Sequence, residues 1–258
     1  MTEPLLVRAD GHVRVVTLNR PDELNSFDEA LHDLFPLTMR RLEDDDDVRA
    51  IVVTGAGRAF SAGGNLDEFA LFRDDYGARR GAIRRARRLA DDLFALAKPV
   101  IAAVNGPAVG LGCTIATLCD VVFMAEGSYL ADPHVAVGLV AGDGGGVTWP
   151  YMTSMQQVKS YLLTGDRIPA ATAVELGLAL EVVPPDALVD HAVAFGQRLA
   201  ALPPQAVQDT KAMLNQHYKA AAVTVLGHGL PAESQSHDTA EYSALVEQMA
   251  RSSRDRAR

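Results

Sequence analysis

The stretch VIAAVNGPAVGLGC, Val100 to Cys113, decides the architecture of this chain. Its first five residues are small or β-branched and apolar on both alternating faces, the pattern of a strand buried between two layers. Asn105-Gly106-Pro107 ends that strand, and Gly110-Leu111-Gly112 leads into an apolar run with the length of a helix. Working outward, short apolar strands are read at Leu5 to Arg8, Val13 to Leu18, Ala50 to Thr54, Asp120 to Met124 and Leu180 to Val183. Helical spacing fills Phe27 to Glu43, opened by a capping box over Ser26 to Glu29, and Ala78 to Leu96. Strands alternating with helices define an α/β fold. After Pro184 the pattern turns wholly helical, with segments at Asp186 to Ala201, Pro204 to Tyr218 and Glu233 to Met249.

The 258 residues are enough for one domain with a sizeable core, and 48% hydrophobic with 22% charged residues is ordinary globular usage. A formal charge of -9 argues against a nucleic-acid partner, which needs a concentrated excess of Lys and Arg. The two cysteines, Cys113 and Cys119, read as small buried hydrophobes in a reducing compartment. The start lacks a basic stretch followed by an apolar run, and the most apolar region is broken by Asn105, several glycines and Asp120, so neither export nor a membrane span is expected. The expected location is cytoplasmic. Asp44 to Asp47 lacks the spacing of a calcium loop and reads as solvated, and no metal is expected anywhere. The arginines at 79, 80, 84, 85, 87 and 88 read mainly as a solvated helix face, with one or two available for phosphates.

Gly55-Ala56-Gly57 follows a strand, yet a dinucleotide fingerprint fails because its third glycine position is Phe60. The informative turns are Phe60 to Leu66 and Asn105 to Cys113, both rich in small residues. Side by side, two such turns offer backbone N–H groups to one carbonyl oxygen, the geometry that stabilises an enolate or tetrahedral oxyanion. Tight strand-to-helix packing accounts for the same composition equally well.

From about Val13 to Arg251 the chain resembles the enoyl-CoA hydratase and isomerase family of the crotonase superfamily. The matching segments are Leu18-Asn19-Arg20-Pro21 with Leu24-Asn25, Gly57 to Gly63, Ala102 to Gly106, Cys119-Asp120 and Leu163-Thr164-Gly165. The resemblance implies an α/β spiral of ββα units over residues 1–195 and a helical C-terminal trimerisation subdomain over 196–258. It further implies a homotrimer or dimer of trimers and an acyl-CoA substrate, with coenzyme A entering only as part of that substrate. It places the two oxyanion N–H groups on Gly64 and Leu111. Asn65 and Leu66 would lie on the wall contacting CoA, with Leu24, Ala62 and Gly110 beside them.

Hydratases of this family use two glutamates whose positions here are Thr114 and His134, and threonine has no pKa suited to proton transfer near neutrality. His134 with Asp143, nine residues on, offers a substitute in which the acid fixes the imidazole tautomer, and Asp143 is expected to be held ionised at a helix N-terminus. A bland reading, Asp143 as helix cap and His134 as packing, stands beside it. The segment from Asp132-Pro133-His134 to Trp149-Pro150 also resembles the 6-oxocamphor hydrolase-like β-diketone hydrolase branch, which implies pocket roles for His32 and Glu233. That branch has a histidine near the second oxyanion turn, where this chain keeps Gly110-Leu111-Gly112. Three functions follow: an acyl-CoA lyase or isomerase, a retro-Claisen C–C hydrolase of a 1,3-dicarbonyl compound, or a non-catalytic acyl-CoA binding protein.

Overall fold

The computed structural model describes residues 3–65 and 67–256. Its strands are β1 (Leu5–Asp10), β2 (Val13–Leu18), β3 (Ala50–Gly55), β4 (Val100–Val104), β5 (Ala108–Val109), β6 (Val121–Ala125), β7 (Tyr129–Ala131), β8 (Ile168–Pro169) and β9 (Glu181–Val183). Its helices are α1 (Glu29–Asp44), α2 (Asp67–Asp74), α3 (Tyr76–Ala95), α4 (Leu111–Leu118), α5 (Gly145–Thr148), α6 (Met155–Thr164), α7 (Ala170–Leu176), α8 (Leu188–Ala200), α9 (Pro204–Ser236) and α10 (Ala240–Arg256).

All six expected strands lie in one sheet of order β1-β2-β3-β4-β6-β9, parallel except for the β1–β2 hairpin. Its inner strands are apolar on both faces because both are covered. Val16, Leu18, Ile51, Val53, Ala102, Val104, Val122 and Met124 join the larger core with α1, α3 and α4, while Val13, Val15, Ala50, Val52, Ile101, Ala103 and Phe123 pack with α8. A second sheet, β5-β7-β8, is extended by isolated bridges Phe27 to Gly64 and Ser61 to Ala108. Each of β2, β3, β4 and β6 thus sends its chain on to a short extended segment beside the previous one before the next helix, which is the expected ββα spiral.

Several boundaries differ from expectation. No capping box opens α1; the Asp28 side chain accepts from the Leu31 N–H at 2.9 Å instead, with Arg20 ion-paired to its carboxylate. The expected gap between the segments Pro204 to Tyr218 and Glu233 to Met249 is helical, and the break between the two helices falls later. One 33-residue helix, α9, continues through Gly227, Gly229 and Pro231 to Ser236, and α10 starts after a break at 237–239. Gly229 serves packing, for a Cβ on it would stand 3.0 Å from Gly142. The division expected after residue 195 falls inside α8, whose apolar face covers the main sheet.

Lys211 pins α9 to that sheet. Its ammonium group, 8% exposed, lies 2.7 Å from Asp120 and donates to the Lys98 carbonyl at 2.8 Å, while Asp120 also accepts from the Val100 N–H. Removing one partner of a buried pair strands the other charge. Lys211→Met is therefore expected to lower stability by about 3 kcal/mol in urea unfolding at neutral pH, with Asp120→Asn in the same chain recovering part of it.

Candidate active site

Two interlocked turns form one wall of a cavity of about 640 Å³. The Ser61 N–H donates to the Pro107 carbonyl at 3.1 Å and the Val109 N–H to the Ser61 carbonyl at 2.9 Å, so the segments run side by side. They sit so close that a Cβ on Gly112 would lie 2.5 Å from the Ser61 carbonyl oxygen. Gly110 adopts φ 53° and ψ -121°, a conformation open to glycine, which turns the chain into α4 and leaves the Leu111 N–H at the helix start with no intrahelical acceptor. Among the described residues neither the Gly64 nor the Leu111 N–H has a hydrogen-bond partner, and both residues line the cavity.

Leu24, Ala62, Asn65 and Gly110 line the same cavity, whereas Leu66 lies outside the described residues. Leu24 and Asn25 both have positive φ, 53° and 56°, which is strained for side chains other than glycine. Asn25 holds that turn from the interior: its carboxamide accepts from the Arg20 N–H and donates to the carbonyls of Ala56 and Ala59.

The structure brings His134, Asp143, His32 and Glu233 to this cavity as well. His134 begins a single 3₁₀ turn after β7, and its Nε2 stands 3.9 Å from Asp143. The carboxylate hydrogen-bonded to its Nδ1 is not Asp143 but Asp132, 2% exposed. Asp132 was visible only as part of a matching segment; a carboxylate two residues before a histidine was the signal for it. Thr114, in one of the glutamate positions, donates its hydroxyl to Asp143 at 3.0 Å, so it positions the acid. Asp143 caps nothing: the N-cap of the four-residue α5 is Gly144, without a side-chain cap. Donor atoms of Asp132, His134 and Asp143 lie within 4.8 Å of one another, a spacing that a metal ion could also use.

Electrostatics separates the two aspartates. Burial alone would lower the His134 pKa, but the charges of Asp132 and Asp143 and the Asp132 hydrogen bond raise it well above 6.5. Against its own burial, Asp132 is pulled below the usual carboxylate range by His134. Asp143 is pushed up by burial, and the Asp132 charge adds to this against the pull of His134; the expected ionising effect of a helix end is too small in a helix of one turn. His32 is held neutral, with its pKa down to about 4, by burial and the Arg85 charge, and its Nδ1 has no partner among the described residues.

Glu233 is raised to about 8 by burial and by Asp143 and Asp132, against the pull of His134. It binds its proton more tightly folded than unfolded, so the stability this contributes is fully present below its ordinary 4.5 and is lost as pH rises toward 8. Glu233→Gln, which cannot ionise, should flatten that decline and give a higher Tm than the parent above pH 8, as read by thermal melts across pH.

The arginine run divides in a way its spacing did not disclose. Arg79 and Arg85 face the cavity, each with an Nε–H lacking a partner among the described residues, whereas Arg87 pairs with Asp91 on its own helix. Cys113 and Cys119 are buried free thiols, both pushed up by burial. Among the described residues no helix is long and apolar enough to cross a membrane.

Comparison with known proteins agrees with this geometry. The enoyl-CoA hydratase/isomerase family profile matches residues 8–248. A mitochondrial enoyl-CoA hydratase from Pongo abelii is 34% identical over 209 residues, covering 80% of this chain and 70% of that protein. The 2,3-dehydroadipyl-CoA hydratase of Escherichia coli is 33% identical, covering 84% of each. The crystal structure of an enoyl-CoA hydratase/isomerase from Mycobacterium paratuberculosis superposes with a TM-score of 0.91 at 48% identity, over 96% of this chain and 99% of that one. With two open amides and a histidine–carboxylate cluster on one cavity wall, the chain belongs to the enoyl-CoA hydratase/isomerase family of the crotonase superfamily.

Proposed function

We propose that this protein is an acyl-CoA lyase or isomerase in which the Gly64 and Leu111 N–H groups hold the thioester oxygen. Negative charge gathers on that oxygen as an enolate forms, and two prepositioned donors stabilise it without reorganising. The observation that supports the reading is that both residues line the cavity that also holds His134 and Asp143, with neither N–H partnered among the described residues. Paired titratable groups with opposed shifts divide the acid and base roles. Asp143, the more basic aspartate, accepts a proton from water or from the substrate carbon, and the His134 cation returns one. Asp132 stays ionised as the counter-ion that keeps His134 charged. The 3.9 Å between His134 and Asp143 is too long for a direct hydrogen bond and suits a water held by both. Leu24, Ala62, Asn65 and Gly110 form the wall for the CoA handle in this reading.

A second reading, C–C hydrolysis of a 1,3-dicarbonyl compound, draws support from Glu233 and His32, which line the same cavity and each have a polar atom without a partner among the described residues. Offering 2-enoyl-CoA and 3-enoyl-CoA esters and cyclic β-diketones to one preparation separates the two. Conversion of a CoA ester with the diketones untouched is expected; cleavage of the diketones alone would replace the first reading by the second. Binding of CoA esters without conversion of anything would make the protein a carrier. The proposal includes assembly as a homotrimer or dimer of trimers, for which the exposed Met213, Leu214 and Val223 of α9 supply apolar surface. A monomer in sedimentation would refute that part.

A further inference from the structure

Helix α3 turns Arg79, Ala82, Ile83 and Ala86 toward the main cavity, the spacing of one helical stripe. A buried guanidinium on such a wall needs an explanation, in a cavity whose lining includes Phe69, Phe72, Val137 and Leu139. Arg79 is 6% exposed. Its two terminal nitrogens donate to the carboxylate of Asp238 at 2.7 and 3.2 Å, and that carboxylate is 66% exposed. Asp238 thus takes the end-on fork of the guanidinium from the solvent side. The side-on fork, which contains Nε–H, has no partner among the described residues at that nitrogen.

Arg79 is also where two cavities meet. A second one of about 450 Å³ shares Arg79 and Ile83 with the first and adds Arg80, Arg84, Ser234 and Gln235. Arg80 and Arg84 pair with no carboxylate among the described residues, so three guanidiniums face a single acid, Asp238. The first cavity carries the open amides of Gly64 and Leu111 and apolar side chains, and the second, sharing Arg79 and Ile83 with it, carries a cationic end. A ligand matching that order has a carbonyl at one end, an apolar middle and an anion at the other.

We infer that the acyl group carried on the CoA ester ends in a carboxylate, and that Arg79, backed by Arg80 and Arg84, is the specificity-determining residue that receives it. The inference rests on the acyl-CoA reading above. The phosphates of CoA are the other source of an anion, but Leu24, Ala62 and Asn65, the wall assigned to the CoA handle, line only the first cavity. Guanidinium and carboxylate pair in a planar, two-bond geometry that lysine reproduces only as a point charge.

The test compares 2-enoyl-CoA esters of equal length ending in methyl or in carboxylate, across a chain-length series. At the best-fitting length the carboxylate ester should show a kcat/KM more than tenfold higher, carried mainly by KM. Arg79→Gln should bring the ratio near unity, and Arg79→Lys should keep part of it. Should Arg79→Gln fail to fold, the exposed pair Arg80→Gln with Arg84→Gln supplies a second arm, expected to lower the ratio several-fold and to weaken its dependence on salt. Calorimetry with the saturated esters reads the same preference without turnover. Methyl esters converted as well as carboxylate esters at every length would overturn the inference and leave the proposed reaction standing. Tighter binding of the carboxylate ester with no turnover of either would do the reverse. Substitutions that weaken both esters and free CoA alike would overturn the inference by assigning these guanidiniums to the CoA phosphates.

Discussion

Replacing His134 by alanine lowers turnover of the true substrate by about 10²- to 10⁴-fold, equivalent to about 3 to 5 kcal/mol of barrier, while CoA-ester binding persists. The effect has two sources. The imidazolium that returns the proton is gone, and so is the cation that separates two buried carboxylates. Asp132 and Asp143 are 2% and 6% exposed, and without His134 their like charges favour protonation of one. Asp143 is already the weaker acid and takes that proton, so the acceptor is lost with the donor. Asp143→Asn combined with His134→Ala should then be little worse than the more damaging single substitution, because the two act as a unit. His134→Gln, which keeps a hydrogen bond to Asp132 but has no transferable proton, should recover stability and not turnover. The stability difference from the parent has its own pH signature: a histidine pKa raised above 6.5 contributes fully below that value and its contribution is lost as pH climbs through the raised value. Wild-type turnover in the alanine variant would remove His134 from the chemistry.

Much of this was legible because buried parallel strands and glycine-rich turns write themselves into local composition. Ala50 to Thr54 and Val100 to Val104 could be bounded within a residue, since a strand covered on both faces tolerates few polar residues. The two turns carrying Gly64 and Leu111 were found for a similar reason: only small residues permit a backbone approach as close as that of Gly112 to Ser61. What escaped depends on tertiary placement. β5, β7 and β8 are two or three residues long, too short for any periodicity, and exist because the spiral brings them together. From Pro204, helical spacing reads only as far as Tyr218, yet α9 runs on through Gly227, Gly229 and Pro231 to Ser236, with Gly229 packed on Gly142. The inward turn of Arg79 and Arg85 depends on how α3 is rotated, and an arginine-rich helix gives no local sign of it. Asp132 escaped because the acid nine residues beyond His134 matched a family expectation, while the nearer one makes the shorter contact.

The second large effect is expected at Gly112, a residue that offers no side chain to the reaction. An alanine Cβ there would lie 2.5 Å from the Ser61 carbonyl oxygen and 2.7 Å from the Ser61 Cβ, distances that neither backbone nor a short side chain absorbs without moving. Ser61 is itself fixed, its hydroxyl donating to the Asn25 carbonyl at 2.8 Å and accepting from the Gly63 N–H at 3.1 Å. The displacement therefore falls on the contact between the two turns. Parting them breaks the Val109 to Ser61 hydrogen bond and, in the proposed mechanism, draws the Leu111 N–H away from the thioester oxygen. Loss of one such donor costs about 10² to 10³ in rate, and overpacking costs about 1 to 3 kcal/mol of stability. The control is Gly11, at φ 56° in the β1–β2 turn with nothing within 4 Å of its Cβ. Gly11→Ala should cost about 1 kcal/mol through backbone strain alone and leave kcat unaltered. Comparable rate losses in the two variants would mean that global destabilisation, and not convergence of the amides, governs turnover. A folded Gly112→Ala enzyme with undiminished kcat would show that the oxyanion is not held between these turns.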